Sequence, residues 1–273
     1  QGGSAVMQAG RVFGPPELLN LWERAQGLPL HRQALEMLAA AEPGQTPEAL
    51  AALPVGERDA RLLDLREGLF GPRLSGLVDC PGCGERVEIG FLVDDIRAAA
   101  GASGGGETEA GVREMTEGEW RVRYRLPAGA DLAEVSGPDG LDDPDAARGR
   151  LLRLCVLSVT HGCGDSAEAD SATAASGGPD RLPEEVAARL VEQMSEADPQ
   201  ADVELAMSCP ACGQEWLAPF DIVSYLAAEL DAWAERILSD VARLARGYGW
   251  READILAMGP RRCRAYLELL EGL

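Results

Sequence analysis

Cys80-Pro81-Gly82-Cys83-Gly84 and Cys209-Pro210-Ala211-Cys212-Gly213 are near copies of one motif. In each, two thiols flank a two-residue turn, and the glycine that follows tolerates backbone angles that bring neighbouring amides up to the sulfurs. One such turn could serve as a redox pair. Two with the same Cys-Pro-x-Cys-Gly pattern supply four thiolates, the set that closes a tetrahedral structural site. The spacing therefore predicts one structural zinc ion (Zn2+) per chain, held by Cys80, Cys83, Cys209 and Cys212. An iron centre with four thiolates would use the same ligands. A thioredoxin-like pair explains neither the second knuckle nor the lack of a strand-to-helix setting. About 125 residues, positions 84–208, separate the knuckles, so a zinc ribbon split by an inserted subdomain is expected.

The residues flanking each knuckle agree with hairpins. Val87, Ile89 and Phe91 alternate with Arg86, Glu88 and Gly90 after the first, and Val203, Leu205 and Met207 alternate before the second, with Trp216 beyond it. This two-residue period is that of a half-buried strand. Within the insert, Trp120, Val122, Tyr124 and Leu126 alternate with Arg121, Arg123 and Arg125, a strand with one apolar and one cationic face. The cationic face is read as solvated and paired with the chain's own carboxylates. Ala146 to Val159 is read as a helix in which Cys155 is a small buried apolar residue. A further helix starts at Leu182-Pro183-Glu184-Glu185, with Val186, Leu190, Val191 and Met194 inward. Ala98–Gly111 and His161–Gly178, rich in small residues and without period, are read as loops.

Outside this region the period is helical. Pro15-Pro16 opens a helix, Leu30 to Ala41 forms a second, Thr46-Pro47-Glu48 is a start signal, and Glu57 to Phe70 carries Leu62, Leu63, Leu65 and Leu69 on one stripe. Near the C-terminus Val223, Leu226, Leu230, Trp233, Ile237, Val241 and Leu244 recur at steps of three and four, the seam of a long amphipathic helix. Two shorter helices follow, separated by Gly259. The expected fold is α+β, mostly helical: an N-terminal helical segment (1–74), a split zinc-ribbon region (75–220) with an inserted α/β subdomain (97–200), and a C-terminal helical segment (221–273).

Composition narrows the function. The chain has 273 residues, 46% hydrophobic and 26% charged, which suits a globular protein. With 25 basic and 46 acidic residues its net charge is −21, a field that opposes phosphate backbones and anionic lipid. No apolar run is long enough to span a bilayer, and Gln1 to Gly14 lacks the pattern of a secretory signal, so a cytoplasmic protein is expected. Catalytic zinc commonly uses histidine and an open position, yet the chain has only His31 and His161. His161-Gly162-Cys163 is a weak third candidate for metal. No phosphate-binding loop is present, and an enzyme acting on a small-molecule substrate is not expected.

Several motifs together carry a resemblance. Leu65-Arg66-Glu67-Gly68-Leu69-Phe70-Gly71, the two knuckles, Tyr248-Gly249-Trp250-Arg251-Glu252-Ala253-Asp254-Ile255-Leu256, and the stretch from Arg261-Arg262 to Tyr266-Leu267 occur in an order that resembles the T4-type baseplate protein family of contractile phage tails and bacterial contractile injection systems. The resemblance runs from about residue 15 to the end. It implies a non-enzymatic structural or assembly protein, incorporated in a phage-tail-like particle and working through contacts with other baseplate or tail proteins. Partner-binding candidates are Trp233, Tyr248, Trp250, Arg261, Arg262 and Tyr266. The competing reading is a zinc-ribbon nucleic-acid regulator, in which the helices around Gly259, with Arg261, Arg262 and Arg264, act as a helix-turn-helix. The acidic balance weighs against it.

Overall fold

The structure is a computed structural model and describes residues 13–98, 111–136, 143–162 and 182–271. It is an α+β chain of helices and small antiparallel sheets. Contacts divide it into two compact units, one of Gln1–Gly44, Leu62–Pro72 and Asp221–Leu273, the other of Gln45–Arg61 and Arg73–Phe220. Elements are numbered along the chain.

The first unit is helical. It holds α1 (Pro15–Ala25), α2 (Leu30–Ala41), the end of α4 (Val55–Phe70), α9 (Ile222–Tyr248), α10 (Glu252–Leu256) and α11 (Pro260–Glu271). Asp221 starts α9 by accepting hydrogen bonds from the amides of Val223 and Ser224, and Gly249 ends it in the left-handed conformation, φ 70°. The seam read from the sequence is buried at Val223, Leu226, Leu230, Val241 and Leu244, but at its middle Ala234 is fully buried and Trp233 only half so. The small residue lets a neighbouring element approach, and the indole is left towards the edge. Trp22 Nε1 and Gln26 Nε2 both donate to Asp231 Oδ1, at 2.7 and 2.9 Å, and so tie α1 to α9.

The deepest polar contact here is one the sequence did not announce. Arg66 is 2% exposed, and its Nε and Nη2 donate to the two carboxylate oxygens of Glu229, each at 2.7 Å. Its Nη1 donates to the Gly71 carbonyl at 2.6 Å, and the guanidinium lies 5.5 Å from the centre of the Tyr225 ring. A forked carboxylate, a helix-end carbonyl and an aromatic face together satisfy a cation that burial would otherwise penalise.

The second unit is built on three sheets. β1 (Arg73–Asp79) pairs antiparallel with β2 (Arg86–Leu92), and β6 (Val203–Ser208) with β7 (Glu215–Phe220). Between these hairpins in sequence, β3 (Val112–Glu117), β4 (Trp120–Arg125) and β5 (Val156–His161) form a sheet in the order β3-β4-β5. The remaining elements are α3 (Pro47–Ala51), α5 (Val93–Ile96), α6 (Gly129–Val135), α7 (Pro144–Cys155), α8 (Glu184–Ala197) and a 3-10 turn, Pro199–Ala201. Met115, Val122 and Tyr124 of the sheet pack with Cys155, Val156 and Val159 and with Val186, Leu190 and Met194 of α8 in one core.

One expectation needs correction. The stretch Ala146 to Val159 is not a single helix: α7 ends at Cys155 and the chain continues as β5. Val156, Val159 and Thr160 are β-branched, and pairing with β4 outweighs the helical spacing of the leucines before them. On the cationic face of β4 two of the three arginines are paired as read, and Arg123 is exposed. Arg121 meets Glu114 at 3.3 Å, and Arg125 Nη2 donates to Asp131 Oδ1 at 2.7 Å. Burial alone would raise the Asp131 pKa, but Arg125 and the Ala128 amide hold it below the ordinary value. The loops read at 98–111 and 161–178 lie, apart from their ends, outside the described residues.

At the start of α4 the Gly56 amide donates to Asp198 Oδ2 at 3.0 Å. A Cβ on Gly56 would fall 1.8 Å from Asp198 Oδ1 and 3.0 Å from the Ala201 amide nitrogen. Burial pushes the Asp198 carboxyl above its usual range, partly offset by the Gly56 amide. The carboxylate thus caps a helix from far along the chain, and only glycine leaves room for it.

Two stability measurements check these contacts. Glu229→Ala is expected to cost about 3 kcal/mol in urea unfolding, because Arg66 loses its counter-charge while buried; replacing both with apolar residues should cost less. Gly56→Ala is expected to cost about 2 kcal/mol by displacing Asp198, with a lowered midpoint in thermal unfolding.

Candidate metal centre

Each Cys-x-x-Cys segment forms the tip of its hairpin, and the two tips have the same hydrogen bonds. In the first, Cys80 N donates to Glu85 O at 2.9 Å and Gly84 N to Cys80 O at 2.8 Å; in the second, Cys209 N donates to Gln214 O and Gly213 N to Cys209 O, both at 2.9 Å. Gly84 and Gly213 take φ 73° and 74°, the left-handed turn expected of glycine at those positions. The tips meet closely: a Cβ on Gly82 would lie 3.4 Å from the Gln214 side chain.

This symmetry brings the four sulfurs together. All of them lie within 4.8 Å of one another, with Cys80 Sγ to Cys212 Sγ and Cys83 Sγ to Cys209 Sγ each 3.7 Å. A metal–thiolate bond of about 2.3 Å sets a tetrahedron edge of about 3.8 Å, so the spacing fits one ion at the centre. Cys80 and Cys209 are buried, whereas Cys83 and Cys212 are exposed at the tip. Beneath them Val87 packs with Cys80 and Cys209, joined by the half-buried Ile89, Met207 and Trp216. Phe91 and Phe220 meet edge to face at the far end of the hairpins, 5.6 Å between ring centres.

The thiols are unlike one another electrostatically. Burial disfavours the Cys80 thiolate, but the amides of Cys83 and Gly82 and the neighbouring thiols outweigh it and bring its pKa down to about 7. The Glu85 amide favours the Cys83 thiolate, yet the crowd of sulfurs led by Cys212 pushes it up to about 12. Cys212 is also raised, despite its Gln214 amide. Without a cation, four adjacent sulfurs cannot all carry charge; a dication held by Cys80, Cys83, Cys209 and Cys212 would remove that conflict and displace the protons.

Among the described residues this is the cluster of ligating side chains that could hold a metal. His161 packs against Trp120 with the rings tilted by 56°, 4.3 Å between ring centres, and meets Glu119 at 3.5 Å, while Cys163 lies outside the described residues. Cys155 is fully buried, and burial pushes its thiol up to about 11. The aromatic candidates near the C-terminus form a group of their own. Tyr248 stacks on Trp250 at 4.5 Å, Tyr266 meets both edge to face, and the Tyr248 hydroxyl donates to the Tyr266 carbonyl at 3.2 Å. Arg261 and Arg262 are exposed on α11.

Fold and site together define an α+β protein with a four-thiol cluster able to hold one metal ion between two hairpins. The chain belongs to the T4 bacteriophage base plate protein family, whose model matches residues 34–227. That span contains both knuckles and the Leu65–Gly71 motif, while the Tyr248 to Tyr266 stretch lies beyond it. No curated protein and no solved structure matches the chain. Membership supports a structural role in a phage baseplate with other baseplate proteins as partners, and no helix among the described residues is long and apolar enough to cross a membrane.

Metal analysis of the purified chain is expected to find about one tightly held ion per molecule. Cys83→Ser or Cys212→Ser should lower that occupancy and destabilise the second unit by several kcal/mol, and a chelator should do the same to the unaltered chain. Full stability without metal would contradict the reading.

Proposed function

We propose that the chain is a non-enzymatic structural or assembly protein of a contractile tail or injection-system baseplate, whose two hairpins form a split zinc ribbon pinned by one zinc ion. The observation that carries the metal assignment is the four-sulfur geometry with its 3.7 Å edges, at the tips of two matched hairpins. Zinc suits four thiolates in a closed shell, needs no redox partner, and converts its binding energy into folding energy. A closed shell leaves no position for substrate, which favours a scaffold over a catalyst.

The action is through protein contacts. The acidic charge keeps an unassembled subunit soluble and steers it towards basic partner surfaces. For the partner surface we propose Trp233 and Trp250, each half-exposed, together with the exposed Arg261 and Arg262. Tyr248 and Tyr266 buttress Trp250 through the ring contacts described above. Large aromatic and arginine side chains of this kind commonly anchor interfaces.

Co-expression with candidate baseplate and tail proteins, followed by purification under native salt, is the test. The expected outcome is a stable complex with at least one baseplate protein, weakened about ten-fold by Trp250→Ala. Recovery of the chain alone, with every candidate baseplate and tail protein tried, would falsify the assignment.

A further inference from the structure

Among the described residues β1–β2 and β6–β7 are each two-stranded, and the outer edges of β2 and β6 border the same cleft. The cleft has a volume of about 700 Å³ and is lined by the consecutive residues Val87–Phe91 of β2 and Val203–Ser208 of β6, with Ile96, Ala98 and Pro199 near one end. Consecutive lining is what a strand presents at its edge, since a face exposes alternate residues only.

The ladders show which backbone groups point into it. Cys80 N donates to Glu85 O, so along β1–β2 the pairs Val78–Val87 and Gly76–Ile89 are the hydrogen-bonded ones. Glu88 and Gly90 then turn their amides and carbonyls away from β1. By the same step from Cys209 and Gln214, the pairs Met207–Trp216 and Leu205–Ala218 are bonded, and Glu204 and Ala206 turn outward. Pro219 lies opposite Glu204, where no amide donor is required. An edge of this kind is a ready template for another strand.

The cleft is also built and charged in one sense. Buried Gln200 accepts from the Ala98 amide at 2.7 Å and donates to the Ile96 carbonyl at 3.3 Å, fixing the end of the cleft. Glu88, Asp95 and Glu204 line it, against one cation, Arg97, which meets Asp94 at 3.7 Å. No ion pair engages Glu88 or Glu204 among the described residues.

We propose that this cleft receives an extended, basic segment of a partner protein, which adds as a strand along the β2 and β6 edges. Main-chain hydrogen bonds supply the affinity, and Glu88 and Glu204 select lysine or arginine at alternate positions. A second copy of this chain is disfavoured as occupant by its own charge of −21. The inference rests on the reading of the chain as a protein that works by contacts.

The probe is a displayed library of random octapeptides, panned against the full metal-loaded chain. The expected result is enrichment of sequences alternating lysine or arginine with β-branched residues. Binding of a selected peptide should fall about ten-fold in the Glu88→Lys, Glu204→Lys double variant and on N-methylation of alternate peptide amides. Hydrogen exchange at the Glu88, Gly90, Glu204 and Ala206 amides should slow when it binds. No enrichment, enrichment of acidic sequences, or binding that leaves those amides unprotected overturns the proposal. So does a dimer abolished by the double variant, which would make a second copy the occupant. If peptides bind as expected but no tail protein co-purifies, the baseplate reading fails alone; if the tail complex forms unchanged with the double variant, the cleft fails alone.

Discussion

An isolated two-stranded hairpin is marginal in water, and β1–β2 and β6–β7 are two of them. What joins them is the meeting of four sulfurs above a small apolar cluster of Val87, Ile89, Met207 and Trp216. The insert hangs on this junction, because it departs from one hairpin and returns into the other. Each tip also supplies amides to its own sulfurs: those of Cys83 and Gly82 favour the Cys80 thiolate, that of Glu85 the Cys83 thiolate, and that of Gln214 the Cys212 thiolate. The first-unit counterpart is Arg66, whose buried guanidinium collects Glu229, the Gly71 carbonyl and the Tyr225 ring. In both places a costly charge is tolerated because several remote groups converge on it.

Much of this was legible in the sequence because the signals are local. A repeated Cys-Pro-x-Cys-Gly motif announces its turn and its pair of thiols, and alternation at Val87, Ile89 and Phe91 or at Trp120, Val122 and Tyr124 announces strands. The C-terminal seam was readable for the same reason, apart from the exchange of Trp233 for Ala234. Local spacing misled at Val156 to Val159, where the deciding partner, β4, is some thirty residues away.

The remote contacts were not legible. Nothing around Gly56 indicates that Asp198 will cap it, and nothing around Gln200 indicates that it will hold Ile96 and Ala98. Arg66 left a faint trace, a cation set into the stripe of Leu62, Leu63 and Leu65, but its partner could not be named from one chain. The unpaired edges belong to the same class, since an edge is defined by the strand that is missing beside it. The four-thiol cluster escaped this limit because cysteines at such spacing are rare enough to find each other by eye.

The division of one set of four thiols between two distant hairpins bears on how the molecule is made. Cys80 and Cys83 leave the ribosome well before Cys209 and Cys212 are translated, so a nascent chain spends that interval with half of the four-thiol cluster. Closing it is a late step that only a polypeptide extending past Cys212 can take. A product terminated before Cys209 carries two of the four thiols and cannot complete the cluster.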